Sequence, residues 1–139
     1  SEHSDKSFGK PGWIIFSREN GLLNVEHPII QGRNESEAIG SVVTFGGSSL
    51  SGEGYINLFR LSATAKNETH PTGVGAIGKG TSQALAGNFG DGKIVAFGDS
   101  NGFTAMIFTE DDGSTLSAGM NTDHYEWKQL VLNVMHWLS

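Results

Sequence analysis

The longest periodic signal in the chain lies at its C-terminal end. In TDHYEWKQLVLNVMHWLS, apolar side chains at Trp127, Leu130, Val131, Val134 and Leu138 recur at i, i+3, i+4 and i+7, the spacing of one helical face. Asp123 is the expected N-cap. Glu126, three residues later, completes a capping box, and both carboxylates suit the positive end of a helix dipole. This pattern predicts that the five stripe residues pack inward, that Lys128, Gln129 and Asn133 lie towards water or its margin, and that Leu132 and Met135 flank the stripe, where burial is open to them too.

Elsewhere the apolar segments are short and punctuated by glycine. Trp13 to Phe16 form one run, Arg18-Glu19-Asn20-Gly21 break it as a turn, and Leu22-Leu23 follow, so a hairpin is one reading of this region. HPIIQGR reads as loop and edge structure, because Pro28 biases His27 towards an extended conformation and Gly32 permits a turn. Ser41 to Gly47 (SVVTFGG) has the β-branched density of a buried strand, and Ile56 to Ala65 reads as another. Asn67 to Ser82 is a surface loop by its Gly, Thr and Pro content. Two apolar segments joined by Gly90-Asp91-Gly92 read as an antiparallel pair. FTAMIF, beginning at Phe103, follows a turn and is a weak helix former. Residues 1–12 are polar with Gly9, Pro11 and Gly12, and are expected to form a loose arm.

A chain of 139 residues suits one domain with one core, here 1–139. Strands, one strong helix and glycine-rich loops point to an α/β fold with the helix packed on a sheet. Nine Lys and Arg, scattered singly against fifteen Asp and Glu, leave no basic stripe for phosphates, so nucleic acid is not an expected partner. The absence of Cys removes disulfides, thiolate metal sites and cysteine nucleophiles together. No apolar run approaches the ~20 residues of a membrane span, so no membrane partner is expected. Asn34-Glu35-Ser36 and Asn67-Glu68-Thr69 match the glycosylation sequon, a triplet that recurs by chance.

The candidate chemistry centres on KIVAFGDSNGF, a strand running into Gly98-Asp99-Ser100-Asn101-Gly102. The segment contains G-x-S-x-G, the pattern of a nucleophile elbow, and also the G-D-S of another esterase group. A serine nucleophile needs a base on its hydroxyl and a group that orients that base. His124 with Asp123, or with Asp111 or Asp112 nearby, would have to supply them after Ser100. Against this stands the turn reading, since Asp, Ser, Asn and Gly bond the local backbone and favour tight turns in any protein. If the turn binds instead of reacting, Asp99, Ser100 and Asn101 are the expected ligand contacts, at the end of a strand where open α/β sheets place ligands. The five histidines show no metal-like spacing, and no metal or cofactor is expected.

GLLNVEHPIIQGR, SVVTFGGSSL, GKIVAFGDSNGFTA and GMNTDHYEWKQLVLNVMHWLS, taken in this order, resemble the C-terminal half of class I glutamine amidotransferase-like proteins, in particular the non-catalytic ThuA-like, GldG-like and intraflagellar-transport-type branches. The match runs through Gly21 to Arg33, Val42 to Gly47, Gly90 to Asp99 and Glu126 to Leu138. This resemblance implies a flavodoxin-like mixed sheet, incomplete because the first strands of that fold are missing, so that the chain is either a fragment or a divergent self-sufficient domain. It also implies a binding or interaction domain whose partner is a small molecule such as a carbohydrate, or a protein. Glutaminase chemistry is excluded by the absence of Cys. The expected compartment is an exported one, with the signal segment absent from this chain.

Overall fold

The structure, a computed structural model, describes residues 13–63, 65 and 80–139. The expected arm at 1–12 and the loop from Asn67 as far as residue 79 lie outside the described residues.

Strand β1 (Trp13–Ser17) pairs with β2 (Ser41–Phe45), Ile15 lying opposite Val43. Strand β3 (Ile56–Arg60) pairs with β4 (Ser82–Phe89), which pairs with β5 (Gly92–Phe97). A third sheet is the hairpin of β6 (Ala105–Thr109) and β7 (Thr115–Gly119). All these pairings are antiparallel, so three small antiparallel sheets stand where one mixed sheet is expected from the sequence. For β4–β5 and β6–β7 the cause lies in the connections. Parallel neighbours need a crossover of a dozen or more residues, usually a helix, whereas the one long helix follows the last strand and β4–β5 and β6–β7 are closed by short turns.

The hairpin expected around Gly90-Asp91-Gly92 forms, with Phe89 opposite Gly92 and the turn carried by Gly90-Asp91. Gly90 sits at φ +57, a conformation open to glycine without a Cβ penalty. FTAMIF, by contrast, contains no α-helix. Ala105 to Thr109 are strand, as Thr, Ile and Phe prefer once a partner strand is at hand. Leu22 to Asn24 form no hairpin with β1 in register. They run beside β3, where Asn24 N donates to Leu58 O at 2.9 Å and Arg60 N to Leu22 O at 2.8 Å.

HPIIQGR is also more ordered than its loop reading. Pro28–Gln31 is a single helical turn, α1, with proline in its first turn and the His27 ring as N-cap, Nδ1 accepting from Ile29 N at 3.2 Å. Ile29 and Ile30 are fully buried, which explains why so short a turn persists.

The C-terminal helix α2 spans Trp127–Leu138. It begins later than the Asp123 cap predicts, and the capping box does not form. Glu126 instead makes a long-range tie. Its Oε2 accepts from Gly40 N at 2.6 Å and Ser41 N at 2.8 Å, joining the helix start to the start of β2. Trp127, Leu130 and Val134 are buried as the stripe predicts, Val131 is half-buried, and Leu138, the last residue of the helix, is exposed. Leu132 and Met135 are exposed. Asn133 overturns its predicted exposure. It is buried because α1 packs on that side of the helix, and its Nδ2 donates to Ile29 O at 2.9 Å and Glu37 O at 2.8 Å. Without Asn133 the buried Ile29 carbonyl and the partly buried Glu37 carbonyl would lose this donor.

The core gathers Phe16, Ile29, Ile30, Ile39, Val42, Leu58, Phe59, Trp127 and Leu130, all without solvent exposure. Phe16 stacks on Phe59 at 4.9 Å, and Phe59, Phe97 and Phe103 ring Trp127 at 6.1, 6.1 and 5.8 Å. Trp127 Nε1 donates to Val43 O at 2.6 Å, so the one polar atom of this cluster has its partner. No helix among the described residues is long and apolar enough to cross a membrane.

Candidate functional site

The turn after β5 is where the fold's parts converge, and its residues divide sharply by role. Gly98 N donates to Gln83 O and Gly98 O accepts from Ser48 N, both at 2.8 Å, so this residue is clasped between β4 and the loop after β2. A Cβ here would overlap the Ser48 carbonyl oxygen. Gly102 is buried under the Trp127 indole, which occupies the place a Cβ would take. Asp99 is 4% exposed, with Oδ2 accepting from Phe45 N and Oδ1 from Asn101 N. One carboxylate therefore ties the end of β2 to the start of the 3-10 turn Asn101–Phe103. Asn101 O in turn accepts from Thr104 N at 3.1 Å and Thr104 Oγ1 at 2.7 Å.

Four of the five residues of G-D-S-N-G are thus accounted for by packing and hydrogen bonds. Ser100 is the fifth. It is exposed, and its hydroxyl makes no hydrogen bond among the described residues, to an imidazole or to anything else. A base that takes the serine proton must approach to ~2.6–3.2 Å. Neither Asp123 nor His124 is hydrogen-bonded to it, and both line a different feature. No grouping of three or more His, Asp or Glu among the described residues is disposed to hold a metal ion.

That feature is an open hollow of about 410 Å³ beside β7. Thr115, Leu116 and Ser117 form one wall, and Thr122, Asp123, His124 and Tyr125 form the other. The local sequence explains its shape. β7 ends at Gly119, whose φ of +65 and close approach to Thr104 O leave no room for a side chain. The chain then turns through a Thr122 N to Gly119 O hydrogen bond of 3.1 Å and runs back along the strand. His124 sits at φ 66, in the left-handed region, at a cost of ~1–2 kcal/mol for a residue with a Cβ. Thr122 is 7% exposed, and its Oγ1 has no hydrogen-bond partner, which in a buried hydroxyl is a cost the fold carries uncompensated.

The sequence pattern points to Asp123 and His124 but groups them with Ser100. It points to none of Thr115, Leu116, Ser117, Thr122 or Tyr125. The signal that could have found the β7 wall is Asp112-Gly113 between FTAMIF and TLSAG, a hairpin cue of the same kind as Gly90-Asp91. Gly113 takes φ +82 in the turn, Asp112 Oδ1 accepts from Ser114 N at 2.8 Å, and the hydrogen bonds from Ser114 hold the Asp112 carboxyl below its usual range.

No protein-family profile, curated protein or solved structure matches this chain.

Proposed function

We propose that this chain is a non-catalytic binding domain whose ligand occupies the hollow along β7. One observation carries the reading: two segments close in sequence, 115–117 and 122–125, joined through a glycine and a left-handed histidine, line one hollow of mixed polar and apolar character with room for a ligand. Pockets that take small ligands run from about 300 to 1,000 Å³, and this one lies within that span. The turn at Asp99 and Asn101 is a weaker candidate for ligand contact, because the Asp99 carboxylate and the Asn101 carbonyl are already engaged. Kinship with the non-catalytic amidotransferase-like proteins would agree with such a role, although antiparallel pairing of every described strand weighs against it. The hydrolase reading has lost its main support, since Ser100 lacks a base and Asp99 is held by backbone amides.

Two measurements test this. Titrating ¹⁵N-labelled protein with hexoses, N-acetylglucosamine, nucleotides and short peptides should move the amides of 115–117 and 122–125 for at least one class. Shifts confined to 98–103, or none with any probe, would defeat the assignment. A fluorophosphonate probe should leave the chain unlabelled. Labelling that disappears in Ser100→Ala would restore the hydrolase reading.

A further inference from the structure

We propose that the occupant of this hollow is an extended peptide that adds a third strand to the edge of β7 that no described strand occupies, with Lys or Arg side chains meeting Asp123 and the Asp111-Asp112 tip. This rests on the reading of the hollow as a binding site and names what it takes. The wall geometry is the first ground. Thr115, Leu116 and Ser117 are consecutive in a strand, so their side chains alternate between faces, yet all three line the same hollow. Only the edge of the strand satisfies that condition.

The hydrogen-bond register then says what the edge presents. β6 and β7 pair without a bulge, from Ala105 opposite Gly119 to Thr109 opposite Thr115. Just beyond the strand ends, Glu110 N donates to Ser114 O at 2.8 Å and Met120 N to Thr104 O at 2.7 Å. Bonded and non-bonded pairs alternate in an antiparallel ladder, so Leu116 and Ala118 direct their amides to Phe108 and Met106. Thr115 and Ser117 turn their N–H and C=O groups away from β6 and towards the hollow. β7 has no other strand neighbour among the described residues. An unpaired row of this kind is the template for strand addition, in which main-chain bonds supply affinity and side-chain pockets supply selectivity.

Charge decides the class of peptide. Asp123 lines the hollow, and Asp111 and Asp112 stand exposed in the turn where β7 begins. A partner strand that carries basic residues meets opposite charge at Asp123 and at the turn before β7, whereas an acidic one meets repulsion. Exposed Phe108 and half-buried Leu116 lie opposite one another in the register, an apolar patch on one face of the extended sheet.

The probe is a blocked hexapeptide, Lys-Val-Thr-Val-Thr-Lys, with two comparison peptides: the same sequence N-methylated at alternate amides, and a version with Glu at both ends. Binding of the first should shift the Thr115 and Ser117 amides and slow their hydrogen exchange, leaving Leu116 and Ala118 slow throughout. N-methylation should abolish the effect, and the Glu-ended peptide should bind more weakly. Asp123→Asn, an exposed position, should weaken the Lys peptide about 2- to 5-fold, the range of one exposed ion pair. If the Lys peptide leaves Thr115 and Ser117 unmoved while a hexose moves the hollow, strand addition is wrong and the binding site stands. If no probe moves the hollow, both fail. Shifts at Thr115 and Ser117 that appear on concentrating the protein alone identify a second copy as the occupant and overturn the peptide assignment.

Discussion

Replacing Gly98 by Ala distinguishes a turn built for packing from one built to aim a nucleophile. The new Cβ would fall 3.0 Å from the Ser48 carbonyl carbon and inside the contact distance of its oxygen. Both obstacles are backbone, so relief requires the Gly46–Ser48 loop to move away from β5. Forcing a group into a filled site costs about 1–3 kcal/mol, and separating Ser48 N from Gly98 O forfeits roughly 0.5–1.5 kcal/mol more. The gain from restricting the unfolded chain, about 0.4–1 kcal/mol, acts in the opposite direction. The net expectation is a loss of ~1–3 kcal/mol, which for a chain of this size lowers Tm by very roughly 3–12 °C. Ser100→Ala, two residues away, removes an exposed hydroxyl that bonds to nothing among the described residues and should change stability by no more than about 0.5 kcal/mol. Thermal unfolding followed by circular dichroism, with a denaturant midpoint for each variant, measures both. Equal Tm values for wild type and Gly98→Ala would refute the packing argument, as would a Ser100→Ala loss of the same size.

Three further outcomes follow from the same contacts. Leu130→Ala should cost about 2–5 kcal/mol through lost transfer energy and a residual cavity, while Met135→Ala, at 61% exposure, should stay within about 0.5 kcal/mol; urea midpoints decide. Asn133→Ala should cost ~1–3 kcal/mol by stranding the Ile29 and Glu37 carbonyls, and a neutral result would mean that α1 does not dock on the helix as described. Burial lowers the His27 pKa below 6.5, so the unfolded chain takes up its proton first: this contribution to stability is fully present above pH 6.5 and is lost as pH falls through the folded value. Tm measured between pH 8 and 5 should fall less steeply in His27→Asn, which keeps a capping oxygen and does not titrate.

What the sequence determined alone was local. Periodicity placed the helix face at Trp127, Leu130 and Val134, β-branched density marked Ser41 to Phe45, and Gly90-Asp91 turned the chain between β4 and β5, because each of these signals is contained within a few residues. Even the hairpin of β6 and β7 was there to be read in Asp112-Gly113. Everything that depended on a distant partner was decided by the tertiary structure. Glu126 looks like a capping residue until Gly40 and Ser41 arrive to claim its carboxylate, and Asn133 looks solvent-facing until α1 brings it two carbonyls from about a hundred residues away. Asp99 and Ser100 are adjacent in a motif that reads as catalytic, yet one is consumed by the amide of Phe45 and the other is left idle. A buried polar group must find its partner wherever the fold places one. Spacing along the chain carries no record of that choice, so β2 and the β4–β5 hairpin were legible, while the pairing of distant strands, the site and the meaning of the serine turn were not.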